Sequence, residues 1–139
     1  EQIDPKEQTM IFCNSKAKIE LVTEFLRTKD IVSLPYLEND KITAQMRHAT
    51  LSLFKSGQLP VMVCSNLGAR GLDTMNVNHL IQFEYAKSPI DLYHRVGRVG
   101  RLGQSGKVTN FVRRLDKDLY SLIRKSKGDL DPLISKIRN

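Results

Sequence analysis

The chain alternates short apolar runs with longer stretches in which apolar side chains return every three or four positions. This alternation constrains the fold more than any other feature. A short apolar run suits a strand buried on both faces, and a three-to-four repeat suits a helix with one buried face. Thr9–Cys13 reads as a first strand, bounded by Asn14 and Ser15. Ile19, Val22, Phe25 and Leu26 then predict a helix from Lys16, with Ser15 as its N-cap. Ile31–Leu34 is a second strand, stopped by Pro35. Ile42–Phe54 is a second helix, with Met46, Ala49, Leu53 and Phe54 as its core face and Gly57 as its stop. Pro60 opens a third strand over Val61–Cys64, His79–Phe83 is a fourth and Lys107–Val112 a fifth. Ser88 and Pro89 start a helix through His94, and a last helix over Asp116–Ser126 buries Leu119, Leu122 and Ile123.

Strands separated by helices predict an α/β fold, with a mainly parallel sheet of five to six strands, helices on both faces and right-handed crossovers. Ligands of such sheets gather at the carboxyl ends of the strands. That rule singles out Asn14–Ser15, the loop from Ser65 to Asp73, and the segment after Phe83. A length of 139 residues fits one domain. The expected division is a linker over 1–8, the domain over 9–127 and a polar tail over 128–139. No apolar run approaches the ~20 residues of a membrane span, and the acidic opening Glu1–Gln8 is unlike an export leader. Two cysteines, Cys13 and Cys64, are too few for a metal quartet or a disulfide framework. An intracellular, reducing setting is expected, with nucleus, cytoplasm and mitochondrion all open and no membrane partner.

Positive charge is concentrated late. Residues 1–106 hold 13 basic and 11 acidic side chains, a net +2, and residues 107–139 hold 9 and 4, a net +5. A basic end suits a polyanion, and a solvated helix explains it equally. The densest cluster is His94-Arg95-Val96-Gly97-Arg98-Val99-Gly100-Arg101. Clustered arginines repel, and each glycine weakens a helix by about 1 kcal/mol relative to Ala. A polyphosphate would offset both costs, since the guanidinium fork matches phosphate oxygens. On a helix, Arg98 and Arg101, three apart, would reach one phosphate group. A second cluster, Ser65-Asn66-Leu67-Gly68-Ala69-Arg70-Gly71-Leu72-Asp73, follows the apolar third strand. Its glycines admit a close ligand, and Asp73 can accept from ribose hydroxyls; an ordinary capped turn is the plainer reading.

Together the two clusters resemble motifs V and VI of superfamily 2 helicases, most closely the DEAD-box RNA helicases, whose patterns read T-D-x-x-A-R-G-x-D and H-R-x-G-R-x-x-R. Ile11-Phe12-Cys13-Asn14-Ser15 is similar to motif IV, and Phe54-Lys55-Ser56-Gly57 to the family's Phe-x-x-Gly. The resemblance implies the second of two RecA-like domains. It carries neither the P-loop nor the Asp-Glu-Ala-Asp of the first, so hydrolysis of ATP would require that other domain, which would hold Mg²⁺. It implies that Arg98 and Arg101 reach the γ-phosphate, that His94 and Arg95 couple the domains and the catalytic water, and that Gly71 and Asp73 meet the attacking water and the ribose. Asn14, Ser15, Arg47, Gly57, Ser65, Asn66 and Arg70 would form the RNA-backbone surface.

The chain departs from the pattern at Asn66 (usually Asp), at Ala44 (where Gln45 stands one residue late), in the loop Glu38–Thr43, which lacks His-Gly, and at Val99 (usually Thr). The Arg-Val-Gly-Arg form is similar to organellar DEAD-box proteins of ribosome assembly, which would make an RNP or pre-ribosomal particle a partner. Three functions compete. The first is the second lobe of an ATP-dependent RNA helicase, the second a degenerate RNA-binding scaffold or clamp, and the third a DNA-directed motor, against which the H-R-x-G-R form speaks. Arg124, Lys125 and Lys127 either touch flanking RNA or form an exposed basic helix.

Overall fold

The computed structural model describes residues 3, 7–38, 41–66, 77–100 and 105–126. Five strands, β1 (Thr9–Phe12), β2 (Ser33–Tyr36), β3 (Val61–Cys64), β4 (His79–Gln82) and β5 (Lys107–Asn110), form one sheet in the order β2-β3-β1-β4-β5. Every pairing is parallel. Among the described residues the helices are α1 (Lys16–Thr28), α2 (Ala44–Lys55), α3 (Pro89–Val96) and α4 (Lys117–Lys125), the last entered through a 3₁₀ turn at Arg114–Asp116.

Period-two alternation along β1 and β3 sends side chains to two cores. Met10, Phe12, Met62 and Cys64 pack with Leu80 and with Phe54 of α2. Ile11, Cys13, Val61 and Val63 pack with Ile19, Val22 and Leu26 of α1. The sheet is therefore covered on both faces, as the alternation predicts. A third cluster joins Tyr85, Ala86 and Leu92 to Leu119, Tyr120 and Ile123, seating α4 beside α3.

Four local expectations need correction. Pro35 does not stop β2; it lies within it, opposite Val63. β2 is an edge strand, where a missing N–H costs no ladder bond if it faces outward. Phe25 is not in the core: it is 57% exposed, with the Lys29 ammonium 5.8 Å from its ring centroid. The core face of α2 is turned by one position, about 100°. Thr50 and Phe54 are buried and Leu51 packs beside them, leaving Met46 and Leu53 exposed. Leu122 of α4 is likewise exposed.

Cys13 and Cys64 face opposite cores, although the Cys13 N–H donates to the Cys64 carbonyl at 2.9 Å. Burial, and then the charge of Glu84, raises the Cys13 thiol from its ordinary 9.0 to about 12. Burial raises Cys64 as well. A folded-state pKa above the unfolded one gives stability that is complete below the unfolded value and lost as pH rises through the folded value. Stability is therefore expected to fall between pH 9.0 and about 12. Urea midpoints measured across that window would show it, and Cys13→Ala should flatten the fall.

Candidate functional site

The chain runs from β1 across to β2 over one face of the sheet and from β4 to β5 over the other. The connections thus diverge at the carboxyl ends of β1 and β4, the position where parallel sheets open a crevice. Arg95 fills it. This side chain on α3 is fully buried. Its Nε donates to Asn66 Oδ1 at 3.0 Å, Nη1 to Gln82 Oε1 at 3.0 Å and to the Glu84 carbonyl at 2.8 Å, and Nη2 to Asn14 Oδ1 at 2.5 Å. The ring of Phe12 lies against the guanidinium, 5.0 Å from centroid to Cζ.

All four acceptors are amide or carbonyl oxygens. Burial lowers the pKa of Arg95 below the ordinary guanidinium value, yet the hydrogen bonds to its charged form make it tolerable inside. Gln82 extends the network, accepting from the Ala86 N–H at 3.0 Å and donating to Asn110 Oδ1 at 2.8 Å. The carboxyl ends of β1, β3, β4 and β5 are thereby tied to α3.

Asn14 has three ties of its own. Its side chain takes Arg95 and donates to the Tyr85 carbonyl at 3.0 Å, and its backbone N–H donates to Glu84 Oε2 at 2.6 Å. The next residue, Ser15, caps α1 by accepting from the Lys18 N–H at 3.3 Å. Asn14, Ser15, Lys16 and Ser65 line a pocket of about 200 Å³, together with Leu37 and Glu38. Arg47 reaches its rim through Glu38, at 3.9 Å, while donating to the Ile42 carbonyl at 3.3 Å. A larger hollow, about 360 Å³, lies between the end of α1 and the start of β2 and contains none of the predicted site residues. Volume alone therefore does not locate the site.

The arginine cluster is not one helix. α3 stops at Val96 with Gly97 as its C-cap, where a Cβ would meet the Tyr93 carbonyl at 3.1 Å. Gly100 sits at φ +65°, the left-handed region glycine tolerates. Arg98 thus lies in a turn and is buried; its Nε donates to the His94 carbonyl at 3.3 Å and its own carbonyl accepts from Val77 at 2.7 Å. His94 is half-buried, edge-on to Tyr93. Gly57, at φ +80°, ends α2 and leads into the start of β3, so it does not join the pocket at the strands' other ends. Arg70, Gly71, Asp73 and Arg101 lie outside the described residues, as do Lys127 and the tail over 128–139. Among the described residues no group of three His, Cys, Asp or Glu could hold a metal ion.

Glu84, Gln82 and Lys16 were not singled out from the sequence. The available signal was polarity in the wrong place: a glutamine inside an apolar strand and a glutamate just past its carboxyl end.

Comparison with known proteins bears on the family and the fold. The family described as helicase conserved C-terminal domain matches residues 2–103. DEAD-box ATP-dependent RNA helicase 39 of Arabidopsis thaliana is 35% identical over 130 residues, 92% of this chain and 20% of that protein. The solved C-terminal domain of the DEAD-box protein Dbp5 superposes with a TM-score of 0.78 at 25% identity, covering 88% of this chain and 71% of that one. The yeast DEAD-box splicing factor Prp28 gives 0.75 at 27% identity, covering 92% and 29%. The chain spans about a fifth of the length of the first curated relatives it matches. It belongs to the helicase conserved C-terminal domain family and is a RecA-like C-terminal domain of the DEAD-box type.

Proposed function

We propose that this domain is the second lobe of an ATP-dependent RNA helicase, which holds the RNA backbone at the Asn14–Ser65 pocket and offers Arg98 and Arg101 to a nucleotide carried by a partner lobe. The observation that carries this reading is the convergence of Asn14, Ser15, Lys16 and Ser65 on one pocket at the carboxyl ends of β1 and β3. The N-terminus of α1 turns its positive end toward that pocket, and Lys16 adds a full charge, so the chemistry suits a phosphate. Contacts of this kind position a strand without reading its sequence, and those near a 2′-hydroxyl favour RNA over DNA.

ATP is the substrate of the assembled enzyme, and Mg²⁺ belongs to the partner lobe. Closure would place Arg98 where charge develops on the transferring phosphoryl group. RNA and ATP then both favour the closed pair of lobes, and product release reopens it.

The test is titration of this domain with a single-stranded oligouridylate, followed by backbone amide spectra. Shifts are expected at Ser15, Lys16 and Ser65. Lys16→Ala should reduce the slope of log affinity against log salt by about 0.7, the value of one single-strand phosphate contact. Shifts confined to another surface, or an unchanged slope, would refute the pocket as the RNA site.

A further inference from the structure

The loop that lines the RNA pocket and the helix that carries Arg95 meet at a single residue, Glu84. One oxygen of Glu84 accepts the Asn14 N–H at 2.6 Å, and the other lies 3.7 Å from Nη1 of Arg113, just past β5. The Glu84 carbonyl accepts from Arg95 at 2.8 Å, and Arg95 reaches back to Asn14 Oδ1 at 2.5 Å. Glu84, Asn14 and Arg95 thus form a closed triangle in which each residue touches the other two. Glu84 is buried, so its bond to the Asn14 amide is a charge-assisted one shielded from water.

This bond fixes the backbone of the turn. Once it is fixed, the Asn14 side chain faces inward to Arg95 and the Tyr85 carbonyl, and Ser15 and Lys16 face the pocket. Asn66, where the DEAD-box pattern has Asp, gives Arg95 a neutral oxygen rather than a charge. Among the described residues, the carboxylate that organises this cluster is on β4's side, at Glu84.

We propose that Glu84 is a positioning residue that clamps the Asn14–Ser15 turn against α3, so that occupancy of the RNA pocket is felt at Arg95. The inference rests on the RNA reading above. An occupant that pulls on the turn moves Asn14 Oδ1, and Arg95 must follow or lose an acceptor that nothing else in the cluster replaces. Arg95 lies three residues before Arg98 on the same short segment, which gives the pocket a mechanical route to the nucleotide side.

The experiment uses this domain, an oligouridylate and the Arg95 Nε–H resonance. In the unsubstituted protein, RNA is expected to shift both the Ser15 and Lys16 amides and the Arg95 signal. Glu84→Ala should weaken RNA binding about tenfold, the loss of one charge-assisted hydrogen bond, and leave the Arg95 signal still at saturating RNA. Glu84→Gln keeps an acceptor for the Asn14 amide and should restore most of both, a rescue that a purely steric role for the side chain would not distinguish from Glu84→Met. Should Glu84→Ala fail to fold, Glu84→Asp decides: its carboxylate is one methylene short of Asn14, and the Arg95 response should be lost. An Arg95 signal that still moves with RNA in the Ala or Asp variant overturns the clamp while leaving the RNA site intact. Absence of amide shifts in the unsubstituted domain overturns both.

Discussion

Arg95→Ala should destabilise the domain by about 3–5 kcal/mol, the cost of truncating a large buried side chain together with that of leaving buried acceptors unpaired. The guanidinium is surrounded by four oxygens at or just past the carboxyl ends of β1, β3 and β4 and by the face of Phe12. Truncation takes the Arg95 donor from the Asn14, Asn66 and Glu84 oxygens, leaves Gln82 Oε1 with the Ala86 N–H alone, and opens a void, and the two losses act in the same direction. Arg95→Met would fill most of the volume and still take the donor from the Asn14, Asn66 and Glu84 oxygens, which separates the two contributions. Arg95→Lys keeps the charge but lacks the planar fork that spans acceptors on three strands. Urea unfolding, with the slope checked for constancy, measures all three. An Ala variant within 1 kcal/mol of the parent, well under the expected range, would mean that water satisfies those oxygens and that Arg95 does not hold the crevice together.

Arg98→Ala is the substitution with the largest expected effect on turnover. In a two-lobe protein carrying this domain, RNA-stimulated ATP hydrolysis should drop by about 10³–10⁵-fold, the range for an arginine finger in phosphoryl transfer. The backbone at Arg98 is pinned by the 2.7 Å bond from Val77, so the base of the side chain is rigid. Its Nε bond to the His94 carbonyl is long, at 3.3 Å, and a developing phosphoryl charge is a stronger acceptor than that carbonyl. RNA affinity of the isolated domain should be unchanged, because Arg98 does not line the pocket. Arg98→Lys should fall between, keeping charge without the fork. Near-normal turnover in Arg98→Ala would remove the residue from the reaction.

How much of this was legible in the sequence depends on how local each cause is. The strand–helix alternation is local, and so are the Ser15, Ser88 and Pro89 signals; the structure places Ser15 and Ser88 as caps and Pro89 in the first turn. The face of α2 reads one position early because Thr50 counts as polar in a hydrophobic pattern, whereas it is buried in the fold. The helical reading of the Arg98–Arg101 pair failed at Gly97 and Gly100, which end α3 and turn the chain. The Arg95 network was out of reach. Its acceptors lie 81, 29, 13 and 11 positions away along the chain, and only the sheet order brings them together. The rule about carboxyl strand ends marks the loops of Asn14 and Ser65 separately, and the fold brings the two to one pocket; it marks the segment after Phe83 without singling out Glu84.

Pro35 on the outermost strand has a consequence for the behaviour of the domain in concentrated solution. A neighbouring molecule drawing alongside β2 to extend the sheet would find one rung of the ladder without a donor. That gap penalises stacking of identical copies at this border.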